Sequence, residues 1–294
     1  MKGFPSYPLK DGFLGIDKGT DAHLPEDSAV VIPFGLEPPT PYRGTARGPS
    51  AILKASQLLS PYDIEQADTP YNHFDIETLK PFKIEKDILT ALDQLEEVVS
   101  HVIAEGRFPL TLGGSNAVTL GAIRPLLKKY PDLVLLSFNS HACLQDGKGA
   151  DTFAHKSILH HALQHKGLNL VLYGVRDISS PEVTFMNENK NRIRLIPIGE
   201  PIQKLTAALK GKIVYLSFDV DVWDPSLMPA TALPEPGGMF WKDTIEAVHV
   251  ITEVCTVVGA DIVELLPTPG LHAADYTVAK LAYSLLSSCF KNRY

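Results

Sequence analysis

The chain has 294 residues, of which 45% are hydrophobic and 21% charged, so it can bury a sizeable core and is too apolar for global disorder. A formal net charge of -7 argues against nucleic acid or an anionic membrane surface as partner, and three scattered cysteines, Cys143, Cys255 and Cys289, exclude a disulfide framework. The start, "MKGFPSYPLKDGF", lacks the apolar stretch of a signal peptide, and no run approaches the roughly 20 apolar residues of a spanning helix, which points to a soluble cytoplasmic protein.

In chain order, residues 1–27 are rich in Pro, Gly and Asp and read as an N-terminal arm over the surface. Short apolar runs then predict strands at 29–34, 108–112, 133–138, 168–174, 192–198, 212–218 and 260–266. Most of these runs are continuous rather than alternating, as expected of strands covered on both faces of a parallel sheet. Helical spacing and stop signals predict helices over 87–106, 115–130, 243–259 and 275–290. Strands alternating with helices, with no repeat or linker between them, predict one α/β domain spanning 1–294. Chemistry in such a sheet gathers at the carboxyl ends of the strands.

Four strand ends carry marked residues. After "PLTL" comes "GGSNA" (113–117), whose paired glycines allow a tight turn and a close backbone approach, and which alone reads as a plain turn. "NSHAC" (139–143) places His141 and Cys143 two apart. On an extended backbone they would point the same way, as metal ligands or as packed and hydrogen-bonded residues. "SFDVDVWDP" (217–225) ends an apolar strand with Asp219 and Asp221 at period-2 spacing. Two carboxylates that close raise one another's pKa unless a cation lies between them. Asp224, before Pro225, reads as a turn residue. Glu264 in "DIVELLP" is an acid in an apolar strand, costly unless paired: either a buried salt bridge or a seat for a cationic group such as a guanidinium.

Together these segments resemble the ureohydrolase family of arginase, agmatinase, guanidinobutyrase and formiminoglutamase. "YRGTARGPSAIL" (42–53) looks like its "GxRxGPxAIR", and "LTLGGSNAVTLG" (110–121) is similar to its "GGDHSITxG". "SFNSHACL" (137–144) stands where the family has "DAHxD", and "YGVRD" (173–177) resembles "GIR". "SFDVDVWDPSLMPATALPEPGGM" (217–239) resembles "SxDxDxxDPxxxPGTGTPEPGG", and "DIVELLP" (261–267) resembles "DxVExNP". The resemblance implies a three-layer α/β/α sandwich with a mainly parallel sheet, assembled as trimers or hexamers. It also implies two manganese ions that bridge a hydroxide attacking a guanidinium carbon.

The departures from the family pattern shape the functional expectation. The family's first histidine ligand falls on Asn116, its bridging aspartate on Asn139 and its last aspartate of "DAHxD" on Cys143. His141, Asp219 and Asp221 are retained ligand positions, and Glu264 matches the guanidinium-binding glutamate. His155 in "FAHKS" matches the family's acid/base histidine, with Lys156 in place of the following glycine. Two acids with neutral amides neutralise two divalent ions poorly, so a dinuclear manganese cluster is not expected and at most one divalent ion, Mn or Zn, is. Two functions follow. One is a degenerate ureohydrolase that binds a cationic guanidino or amine compound or regulates a partner. The other is a metallohydrolase of linear amidines working with one ion held by His141, Asp219 and Asp221.

Overall fold

The computed structural model describes residues 4–16, 27–38, 43–64 and 66–291. Eight strands, all parallel, form one sheet: β1 (Ser28–Phe34), β2 (Asp75–Thr78), β3 (Phe108–Gly113), β4 (Val134–Phe138), β5 (Asn169–Tyr173), β6 (Ile193–Ile196), β7 (Ile213–Asp219) and β8 (Thr256–Val263). Their spatial order is β2-β1-β3-β8-β7-β4-β5-β6. Eight α-helices accompany them: α1 (Gly48–Ser56), α2 (Ile88–Ala104), α3 (Val118–Lys129), α4 (Ile158–Ala162), α5 (Ser180–Glu188), α6 (Ile202–Leu209), α7 (Trp241–Val254) and α8 (His272–Lys291).

The continuous apolar runs have their explanation in two cores, one on each face of the sheet. Alternate residues of a strand face opposite ways. In β7, Val214, Leu216 and Phe218 therefore join the core under α1, α6, α7 and α8, while Tyr215 joins the one under α2, α3 and α4. Full burial of one such aliphatic or aromatic side chain contributes roughly 1.5–3 kcal/mol. The result is the expected α/β/α three-layer arrangement.

Local departures have physical reasons. β2 was not expected: its sequence Asp-Ile-Glu-Thr is half polar, which an edge strand tolerates because only alternate residues are buried. β8 begins at Thr256 and ends at Val263, earlier on both sides than the apolar run suggests, and α7 stops at Val254 rather than continuing to 259. β-branched Thr256, Val257 and Val258 favour the strand over a further helical turn. The N-terminal segment is more than a surface arm within its described part. Phe13 and Leu14 are buried, and the Phe13 and Leu14 amides donate to Thr78 Oγ1 (2.9 Å) and Ser56 Oγ (3.1 Å). The remainder of the expected arm, 1–3 and 17–26, lies outside the described residues.

Candidate functional site

Asn116, Asn139, His141, Cys143, His155, Asp219, Asp221 and Glu264 meet at the carboxyl ends of β3, β4, β7 and β8. Because β7 and β8 are neighbours in register, Asp219 at the end of β7 lies opposite Val263, and Glu264 follows directly. The loop after β3 reaches them through the glycine pair. Gly114 O accepts the Glu264 amide at 2.8 Å, and a Cβ on Gly114 would lie 2.3 Å from Leu36 O, so only glycine lets this turn pass against the Leu36 carbonyl.

Two local conformations differ from the sequence expectation. Glu264 is not within the strand; it lies one residue past it with φ 66. Cys143 has φ 52, so the backbone through His141 and Cys143 is not extended and the two side chains do not act as a same-face pair. Non-glycine residues in the left-handed region cost on the order of 1 kcal/mol or more and cluster at functional sites. Asp219 and Asp221 do converge, but through a 3-10 turn, Val220–Val222, rather than an extended strand. The Asp221 amide donates to Asp219 Oδ1 at 3.0 Å and caps that turn. Asp224 takes the turn role expected of it, accepting from Ser226, Gly237 and Gly238, and these bonds lower its carboxyl to about 2.

The carboxylate pair is held by donors of the chain itself. Asp221 accepts the Ser140 amide at 2.8 Å and has His141 Nδ1 at 2.7 Å from Oδ2. Asp219 Oδ2 accepts Asn139 Nδ2 at 3.0 Å and lies 3.1 Å from His155 Nε2. Both acids are 1% exposed. Burial raises both; for Asp221 the hydrogen bond from His141 and the nearby His155 and His141 charges outweigh burial and leave it below the ordinary carboxylate value. Burial and the Asp221 charge push Asp219 well above that value. The two acids are therefore pushed apart, Asp221 below the ordinary carboxylate value and Asp219 above it.

Cys143 is fully buried, with Sγ 3.8 Å from Asn116 Nδ2 and 4.0 Å from His155 Nδ1. Burial, then the Asp219 and Asp221 charges, pushes its thiol well above the ordinary value. Glu264 is 5% exposed and accepts the Asn116 amide at 2.8 Å. No lysine or arginine pairs with it among the described residues. Burial, partly opposed by the His155 charge, raises its carboxyl to about 7. Beside it opens a cavity of about 520 Å³ whose walls include Thr45, Ser115, His155, Lys156, Thr231 and Glu264. Lys156 does not reach into the carboxylate pair; it pairs with Asp177 at 3.1 Å.

Sequence reasoning missed the anchor of this wall, Arg176. Its guanidinium donates to the carbonyls of Gly174, Asp221, Val222, Trp223, Glu235 and Pro236, at 2.7–3.2 Å. It ties the end of β5 to the turn that carries Asp221 and to the loop that carries Glu235. The "GVRD" segment held the signal, since an arginine at a strand end needs acceptors.

The donor set does not suit two manganese ions. Asn139 directs N–H at the Asp219 carboxylate, Asn116 offers a neutral amide, and Cys143 puts a soft sulfur where manganese favours oxygen and imidazole. A single ion has better material, though among the described residues not in the expected set of His141, Asp219 and Asp221: His141, His155 and Asp221 bring one ligand atom each within 4.8 Å of one another, as do His155, Asp219 and Glu264.

Comparison with known proteins agrees with this architecture. Residues 27–288 match the model of a family described as the Arginase family. The chain is 32% identical over 251 residues to an agmatinase of Bacillus subtilis, covering 82% of this chain and 84% of that protein. It is 30% identical over 272 residues to an N(1)-aminopropylagmatine ureohydrolase of Thermus thermophilus, covering 90% of each. Among solved structures it is similar to an agmatine ureohydrolase of Thermoplasma volcanium, with a TM-score of 0.78 at 24% identity over 98% of this chain and 97% of that one. An arginase from Bacillus subtilis gives a TM-score of 0.72 at 23% identity, over 88% and 98%.

Proposed function

We propose, from the premise that this chain belongs to the arginase family, that it is a ureohydrolase relative with a binding or regulatory role, taking up a cationic guanidino or amine compound without a dinuclear manganese cluster. The observation that carries this reading is a contrast between two neighbouring buried acids. Asp219, where two ions would need free lone pairs, is occupied by the Asn139 amide and the His155 imidazole. Glu264, a few ångströms away, keeps a buried carboxylate whose one hydrogen bond among the described residues is to a backbone amide. A buried acid without a counter-ion is costly, and a planar cation with N–H donors removes that cost by pairing with it. The names of the relatives point to agmatine and N(1)-aminopropylagmatine as the first probes.

Calorimetry of the purified protein against agmatine, arginine and polyamines tests this. Heat of binding that disappears in Glu264→Gln supports it, and rapid hydrolysis of agmatine by the purified protein would overturn it. A trimeric or hexameric assembly belongs to the same proposal and is read by light scattering.

The convergence of His141, His155 and Asp221 favours a second reading, a hydrolase of linear amidines with one ion, Mn or Zn. Three protein ligands with an open position are the pattern of a catalytic zinc site. Metal analysis after refolding with Mn, Zn, Ni or Fe decides it: substoichiometric metal in every case removes this reading.

A further inference from the structure

His141 has a second ring nitrogen that the carboxylate pair does not use. Its Nδ1 lies 2.7 Å from Asp221 Oδ2 and 2.7 Å from Ser140 Oγ. Its Nε2 is turned toward Asp177 Oδ2, at 3.6 Å, and Glu235 Oε1, at 3.9 Å. We infer that His141 Nε2, Asp177 and Glu235 form a site for one zinc ion, apart from Asp219 and Asp221, and that the Lys156 ammonium competes with the ion for it. This site does not depend on the binding role proposed above.

The distances suit an ion better than hydrogen bonds. His141 is 2% exposed, and Nε2 has no hydrogen-bond partner among the described residues. Both carboxylates stand beyond the roughly 3.2 Å of a good N–H···O bond. Ligand atoms about 2.0–2.2 Å from a tetrahedral zinc stand roughly 3.3–3.6 Å from one another. The three atoms here lie within 4.8 Å of one another, so small side-chain rotations bring all of them onto one ion.

The chemistry of the set is that of zinc. Two carboxylates neutralise a divalent ion, and one imidazole with them leaves a fourth position to water. A ligating histidine commonly gives its other nitrogen to a carboxylate, which fixes the ring, and Asp221 does this for His141. Manganese, lower in the affinity order, is expected to leave Lys156 in place.

The backbone already holds the three ligands together. The Arg176 and Asp177 amides donate to Ser140 O at 2.8 and 2.9 Å, and the Ala142 amide donates to Asp177 O at 3.2 Å, on either side of His141. The Arg176 guanidinium holds the Glu235 carbonyl at 2.7 Å. Zinc there joins the ends of β4 and β5 to the loop that carries Glu235.

Lys156 stands where the family pattern has glycine. Its ammonium lies 3.1 Å from Asp177 Oδ2, the same oxygen that faces His141 Nε2. A divalent ion and an ammonium repel each other across one shared oxygen, so binding of the first displaces the second. The lysine side chain is 42% exposed and has solvent to move into. Lys156 is thus a brake on the site and not a ligand in it.

The test is zinc calorimetry of the full chain after treatment with a chelator. Wild type is expected to bind one zinc. Asp177→Asn and Glu235→Gln should each lower the affinity about tenfold or more, and Lys156→Met should raise it. Asp177→Asn and Lys156→Met break the same ion pair, so a merely structural role moves both in one direction and a shared metal site moves them in opposite directions. The Tm of each variant without zinc shows that it folds. His155→Gln separates this site from one built on His141, His155 and Asp221, and should leave the zinc affinity unchanged. Zinc binding that ignores both acid substitutions, that is lost in His155→Gln, or that is absent from wild type and Lys156→Met alike overturns the inference.

Discussion

Asn139 donates its side-chain amide to Asp219 at 3.0 Å, so that a hydrogen points at one of the acids that would hold a metal ion. The same carboxylate receives His155 from the other side at 3.1 Å. Removal of that hydrogen is the most direct way to expose the older chemistry. Asn139→Asp places a third acid beside Asp219 and Asp221 and is expected to destabilise the metal-free protein by about 3 kcal/mol. The loss should be reversed by millimolar Mn, read as a metal-dependent rise in Tm that wild type lacks. The triple change Asn116→His, Asn139→Asp, Cys143→Asp is expected to bind close to two manganese ions by elemental analysis. A triple variant that remains metal-free would show that more than the ligand atoms has changed.

Glu264 gives the site a pH signature. Its carboxyl is raised from the usual 4.5 to about 7, so the folded state holds its proton more tightly than the unfolded chain. Its contribution is therefore most favourable below pH 4.5 and is lost as pH rises through 7, by about 3 kcal/mol in all. Asp261, buried in β8 under Tyr215 and Ser217, adds a loss of the same sign between 3.8 and about 6. Glu264→Gln keeps an oxygen for the Asn116 amide and is expected to flatten the upper part of this window. Denaturant unfolding at pH 5 and pH 8 checks it: the variant should gain on wild type at pH 8 and little at pH 5.

Arg176 is expected to matter for stability more than its half-exposed position suggests. Arg176→Met leaves carbonyls from three segments without their donor and should cost about 2–4 kcal/mol in urea unfolding. Arg176→Lys should recover only part of this, because an ammonium cannot span the same set of acceptors. Hydrogen exchange should quicken at 220–223 and 235–237 in both variants, and unchanged exchange there would count against a clamping role.

The fold was legible because strands covered on both faces leave apolar runs, most of them continuous, and seven of the eight strands among the described residues fall on such runs. β2 did not, since an edge strand needs only alternate apolar residues and "DIET" holds one apolar residue among three polar ones. The start of β8 was hidden because Thr256 to Val258 continue the apolar pattern of α7 with no break between them. At the site, the membership of Asn116, Asn139, His141, Cys143, His155, Asp219, Asp221 and Glu264 was legible from ordered motifs. Their partners were not. The pairing of His155 with Asp219 joins residues 64 apart in sequence and depends on where the turn at 155–157 lands. The left-handed backbone at Cys143 and Glu264 leaves no mark in residue type, because neither is glycine or asparagine.

That backbone has a consequence for how the protein would evolve. At position 264 the residue most compatible with φ 66 is glycine, which has no carboxylate to offer. The easiest route to a hardier chain is therefore also a route to an empty seat. In a library saturated at 264 and screened for heat resistance alone, glycine should be enriched. In the same library screened for capture of a guanidino compound, glutamate should return. The two selections pull one codon in opposite directions, so the glutamate at 264 is a residue that only use can maintain.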